Sequence, residues 1–428
     1  MLNRKSIVEQ VGFRGLSLAL NLSVALLVPR ILLPEVNGVY ALLTANVAIA
    51  VLVIGFSMES AIVYYISNRH FSFGGMIRAL RTVFIVQLLL VLAILGINGL
   101  AHNAIAFFPA AHDGRSAIWA ALFLLALLGN NLLVSVLNGL GRFRQVNLLN
   151  TCQGLLQLLM LGTVMLTNCF ADHKQYIIYL LVLTNFVSPL LALFFVKYRS
   201  ATEAHASPVA DERPRAIIRV LMQYAAIAFV ANLVQQLAYR IDFWILDYFD
   251  GKTALGIYSV GTRLSQLLWV FPAALATIIL PAIAHEGRAA VYRKVKQLTW
   301  AGIGAGIVAA VALLLGIKYL AVWILGEPYR DLWIPLGLML PGYAAFIVVI
   351  LSASYFSGIK KVQLNLLQSA FCLLLITAAD LLLIPRMGMN GAAIANTVAY
   401  LGTAMLSVVL LRRYAPDRLD GLSGKTLR

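Results

Sequence analysis

An all-α polytopic membrane protein, with about twelve transmembrane helices in two six-helix pseudo-symmetric lobes, is the fold class this sequence predicts. Three observations predict it. Hydrophobic residues fill 61% of the 428 positions and charged residues only 12%, and the mean hydropathy is +0.88, far from the composition of a water-soluble domain. Apolar runs long enough to cross a hydrocarbon core of ~30 Å recur along the whole chain. Two short signatures also repeat at one offset: Gly38-Val39-Tyr40 and Thr44 return 218 positions later as Gly256-Ile257-Tyr258 and Thr262, and Asn147-Leu148-Leu149 returns at the same offset as Asn365-Leu366-Leu367.

The runs of the first half lie at about 8–28, 38–66, 79–98, 116–137, 146–166 and 175–196. Those of the second half lie at about 216–240, 255–284, 298–316, 332–351, 362–384 and 391–411, most of them near the first set shifted by 218. Six spans per half give both halves the same orientation, so a pseudo-twofold axis along the membrane normal is expected, with a transport pathway on it. The expected division is an N-terminal lobe over 1–197, a polar linker over 198–215, a C-terminal lobe over 216–411 and a tail over 412–428.

Orientation follows from the basic residues. Most of the 33 Lys and Arg fall at the N-terminus, in the even-numbered loops and in the tail, including Arg142, Arg144, Arg293, Lys294, Lys296, Lys360 and Lys361. The positive-inside rule then places both termini in the cytoplasm. The same distribution accounts for the net charge of +16. Cations scattered over short loops form no stripe, so nucleic acid is not an expected partner. The first span lacks a small-residue cleavage site and reads as a retained helix.

Chemistry is excluded next. Gly424-Lys425-Thr426 resembles the end of a phosphate-binding loop, but the position of its first glycine is Leu419. Cys152, Cys169 and Cys372 have no metal or disulfide spacing and read as packing residues. No catalytic residues, metal site or cofactor are expected, and the short outer loops offer no acid, base and nucleophile constellation for a membrane polymerase or acyltransferase.

Charges inside spans are the positive signal, because each costs ~2.5–3.5 kcal/mol at a span centre. Arg14 lies a few turns into the first span, with Asn21 roughly 10 Å deeper. Arg263 lies roughly 10 Å from the outer end of the eighth span, and Asp380 about 27 Å along the eleventh. Arg240 and Asp242 sit near the outer end of the seventh span and Glu59 near the inner end of the second. Arg14, Arg263 and Arg240 are candidate binders of an anionic headgroup, since the guanidinium fork matches phosphate oxygens. Asn21 and Gln157 are candidate substrate contacts, and Asp380, Asp242 and Glu59 candidate ion-coupling groups. The structural alternative is mutual neutralisation of Arg263 with Asp380, or of Arg240 with Asp242. Asn46, Gln153, Asn185, Gln235 and Gln236 could serve sugar hydroxyls or join helices.

Four segments carry a family resemblance: Pro34-Glu35-Val36-Asn37-Gly38-Val39-Tyr40, Asn138-Gly139-Leu140-Gly141-Arg142-Phe143-Arg144, Arg240-Ile241-Asp242 with Gly256-Ile257-Tyr258-Ser259, and Leu383-Ile384-Pro385-Arg386-Met387-Gly388-Met389-Asn390-Gly391-Ala392-Ala393-Ile394-Ala395. Together they resemble the polysaccharide biosynthesis or O-antigen flippase family of the multidrug, oligosaccharidyl-lipid and polysaccharide exporter superfamily. Relatives often carry Asn where this chain has Asp380. The resemblance implies a flippase that moves an undecaprenyl-diphosphate-linked oligosaccharide across the bacterial inner membrane by alternating access, for O-antigen, capsule or exopolysaccharide synthesis. It also implies membrane lipids and other polysaccharide-assembly proteins as partners. The competing readings are a multidrug or cation antiporter of the same superfamily and a lipid II flippase.

Overall fold

The computed structural model describes residues 4–100, 114–167, 170, 173–203, 213–276, 279 and 288–416, and among them every regular element is a helix. Half of the expected linker and most of the tail lie outside the described residues. In chain order the helices are α1 (Arg4–Gly55), α2 (Met58–Ser67), α3 (Phe73–Leu100), α4 (Gly114–Gly139), α5 (Phe143–Thr167), α6 (Gln175–Thr184), α7 (Val187–Glu203), α8 (Pro214–Ala238), α9 (Ile241–Ser265), α10 (Arg288–Leu325), α11 (Trp333–Ala345), α12 (Ile347–Gly358) and α13 (Gln363–Arg413).

The chain is a multi-pass membrane protein. Among the described residues eight helices are long and apolar enough to cross a bilayer, or nine if Pro214–Ala226 and Ala228–Ala276, bent by 48°, form one span. The expected twelve are not reproduced by that measure, and the backbone gives a reason. Gly15–Gly55 and Gln363–Arg413 run for 41 and 51 residues, against the ~20 that one crossing needs. Each continues through a non-helical residue, Leu33 (φ 63, ψ 167) and Gly388 (φ 55, ψ −136). Pro34 explains the first break, because a residue that precedes proline is driven out of the helical region.

Contacts divide the chain into two units. One comprises Met1–Leu32 with Leu42–Leu233, and the other Leu33–Ala41 with Val234–Arg428. In the first, α2 packs on α4, and α4 and α5 pack on α7, around Met58, Ile62, Met76, Val136, Leu149 and Leu221. In the second, α9 and α11 pack on α13, and α10 packs on α11 and α12, with Val291, Ile347, Leu351, Tyr355 and Phe356 in one core.

The 218-residue offset reappears in the backbone. Leu33 (φ 63) and Gly251 (φ 81) are separated by it, and so are Phe170 (φ 71) and Gly388 (φ 55). Within the second unit the repeated glycines meet the repeat of the other signature. A Cβ on Gly38 would lie 2.0 Å from the Lys252 carbonyl oxygen, and one on Gly256 would lie 1.8 Å from that of Pro34. Residues 34 and 252 are themselves 218 apart, so the two contacts are copies of each other. Only glycine permits so close an approach of two backbones, as in small-residue crossings of membrane helices. Two further bonds are not duplicated: the buried Asn37 amide donates to the Gly256 carbonyl at 2.8 Å and to Ser259 Oγ at 3.2 Å, whereas its counterpart is Leu255.

Candidate substrate and ion site

Two carboxyls define the site in the second unit. Asp242 lies in the first turn of α9, where the helix N-terminus favours an anion. It is buried, and one oxygen accepts from the Tyr258 hydroxyl at 2.5 Å and from the Asn396 amide at 3.0 Å. The Asn396 amide also meets the Tyr258 hydroxyl. The other Asp242 oxygen has no hydrogen-bond partner among the described residues. Asp380, on α13, is 0% exposed, and neither of its oxygens has a hydrogen-bond partner among the described residues. Asp380 lies within electrostatic reach of Asp242 and of Tyr258.

Aromatic rings flank this cluster. Trp269 stacks on Tyr343 at 4.7 Å and donates its indole N–H to the Tyr343 carbonyl at 2.9 Å. Tyr400 meets Tyr343 and Phe346 at 5.1 and 4.6 Å, and Asp242 acts electrostatically on both Tyr343 and Tyr400. Two acids held in an aromatic, low-dielectric setting with spare oxygen lone pairs can accept a proton or a hard cation, whose ligands are oxygens.

The cations are placed differently from either expected pairing. Neither Arg240 with Asp242 nor Arg263 with Asp380 forms an ion pair. The Arg240 guanidinium carbon lies 4.9 Å from the Phe243 ring centroid, with a buried unbonded Nε, and that of Arg263 lies 5.5 Å from the Tyr40 ring centroid. Arg240 precedes α9 and is not helical (φ −136, ψ −9), so it and Asp242 reach different neighbours. Tyr40 and Tyr258, the repeated tyrosines, thus each take up one charged side chain, Arg263 and Asp242.

The remaining predicted residues lie elsewhere. Asn21 is exposed and donates to the Ser17 carbonyl of its own helix at 2.8 Å. Gln157 donates to Thr184 Oγ1 at 3.1 Å and Gln153 to Asn185 Oδ1 at 2.9 Å, so both amides join helices. Glu59 belongs to the first unit, where it accepts from Asn131 at 2.9 Å. The side chain of Arg14 lies outside the described residues. Sequence reasoning missed Tyr258, Asn396, Tyr343 and Tyr400 as parts of the site, although Tyr258 was already marked by the repeat.

Apolar helices long enough to cross a bilayer, with two buried acids among them, define a class, the multi-pass helical membrane proteins. Solved structures of like fold include transporters and a flippase. The chain is similar to the lipid II flippase MurJ in an inward closed conformation, at 12% identity over 93% of this chain and 87% of that one, with a TM-score of 0.71. It is similar to a multidrug resistance MATE family transporter of the MOP superfamily in an inward-facing conformation, at 15% identity over 94% and 96%, with a TM-score of 0.68. It is also similar to a MOP superfamily transporter from Pyrococcus furiosus, at 16% identity over 95% and 94%, with a TM-score of 0.64. A search of the curated proteins finds no match. The chain belongs to the polysaccharide biosynthesis protein family, whose model matches residues 16–286.

Proposed function

We propose that this protein flips an undecaprenyl-diphosphate-linked oligosaccharide from the cytoplasmic to the periplasmic leaflet of a bacterial inner membrane, with both termini in the cytoplasm. Membership of the polysaccharide biosynthesis family is the observation that carries the reading. In it, Arg263 and Arg14 attract the diphosphate, with Arg240 as a further cation, and Asp380 with Asp242 couples the cycle to a proton or a cation. What supports the coupling role is that a fully buried carboxyl with no bonded oxygen is unfavourable for folding alone.

Complementation of a strain that lacks its own oligosaccharide flippase tests the proposal, with surface polysaccharide as the readout. The parent chain should restore export, and Asp380→Asn or Arg263→Glu should abolish it at equal protein level. Export that persists in both variants would refute the assigned roles. Rescue of a lipid II flippase depletion, or drug resistance without polysaccharide export, would replace the cargo.

A further inference from the structure

We propose that the groove between α2 and α4 is a subsite for the neutral saccharide part of the cargo, an assignment that rests on the flippase reading. The groove is shallow and open, with a volume of about 580 Å³, inside the ~300–1,000 Å³ range of small-molecule sites. Its walls are built by helix periodicity. Ser60, Tyr64 and Ser67 follow an i, i+4, i+7 stripe on α2 beside Glu59, and Ser135 and Asn138 stand at i, i+3 on α4.

These residue types match a pyranose, which has an apolar C–H face and a rim of hydroxyls. Tyr64, 48% exposed, is the platform. It is held by stacking on Tyr224 at 5.2 Å and by an edge contact with Tyr65 at 5.1 Å, so little conformational freedom is lost when a sugar covers it. Glu59 is oriented by the Asn131 amide on one oxygen, which leaves the second to accept from a sugar hydroxyl. Asn138 supplies both a donor and an acceptor. The lining carries no Lys or Arg and one carboxylate, so it suits the uncharged glycan and repels the diphosphate.

The duplication adds an independent argument. At the repeat-related positions, Asn138 becomes Phe356 and Ser135 becomes Ala353, and Phe356 is fully buried in the core of the second unit. At these two positions the second copy carries apolar side chains where the first carries polar ones.

The test is saturation-transfer magnetic resonance and calorimetry on the full chain in nanodiscs. The probes are the methyl glycosides of glucose, galactose, N-acetylglucosamine and rhamnose, with inorganic pyrophosphate as the charged probe. At least one glycoside should bind at millimolar concentration, and pyrophosphate should not compete with it. Tyr64→Ala and Asn138→Leu should each weaken that binding about tenfold, the size of ~1.4 kcal/mol, while Tyr64→Trp retains it. Melting temperatures should stay at the parent value, which separates lost binding from lost folding. Unchanged affinity in Tyr64→Ala and Asn138→Leu, or no glycoside binding to the parent chain, overturns the subsite. Complementation keeps the two readings apart. Export without glycoside binding removes the subsite and keeps the flippase; Tyr64-dependent glycoside binding without export does the reverse.

Discussion

Replacing Gly256 by Ala tests whether the duplicated glycines exist for the helix crossing. The added Cβ would stand 1.8 Å from the Pro34 carbonyl oxygen and 2.6 Å from its carbon. Both are backbone atoms, so no rotamer change relieves the clash. Cβ contacts in real proteins stay above 3.0 Å, and the crossing must therefore open by about 1.2 Å in an interior packed to crystal density. That opening also stretches the Asn37 bonds to Gly256 and Ser259, now 2.8 and 3.2 Å. Overpacking costs about 1–3 kcal/mol and a lost buried hydrogen bond roughly one more, so the expected loss is about 2–4 kcal/mol. The assay is equilibrium denaturation and thermal melting of the purified protein in one detergent. Gly304→Ala is the control: nothing lies within 4 Å of a Cβ there, and alanine in a helix interior gains up to about 1 kcal/mol over glycine. If Gly256→Ala melted with the control, the reasoning about the crossing would be wrong.

Leu33→Gly should raise stability, by about 1 kcal/mol net, because φ 63 and ψ 167 fall in a region that side chains avoid and the residue is 38% exposed; a melt below the parent would show that the break is not strained. Asp380→Asn, equal in size and without the charge, should be about 1 kcal/mol more stable than the parent in denaturant while losing export, the signature of a group kept for function. Asn37→Ala should cost about 1–2 kcal/mol in the same denaturation assay, through two buried bonds. Gln157→Leu should leave export intact, since its amide is engaged with Thr184; loss of export at normal stability would return Gln157 to the substrate path.

The helical membrane class was legible because hydropathy acts over ~20 residues at a time and needs no tertiary information. The break at Leu33 could be read from Pro34, and the close crossing from paired glycines at a fixed offset. The site was legible only in part. Asp242 and Asp380 stood out through the cost of a charge in an apolar run. Their surroundings did not, because Asn396 reaches Asp242 across 154 residues of chain, a contact that depends on how α9 packs on α13. The expected contact ion pairs with arginine are absent for a related reason, although Arg240 still acts electrostatically on Asp242. Sequence distance makes Arg240 and Asp242 look adjacent, whereas the turn before α9 sends one over Phe243 and the other toward Tyr258.

Comparison of the two copies separates scaffold from function in one step. Where they agree, at Gly38 and Gly256 or at Tyr40 and Tyr258, the residues build a crossing or hold a charged side chain in place. Where they disagree, chemistry enters: Asp242 stands opposite Val24, Asp380 opposite Gly162, Asn396 opposite Ile178 and Arg263 opposite Ala45. The groove lined by Asn138 and Ser135 shows the same divergence in the other direction, with Phe356 and Ala353 in the second copy. A duplicated bundle is stable with apolar residues at all these places, since one copy or the other has them there. Each polar member must then be retained against a folding cost, and selection for cargo and coupling is the force that can retain it.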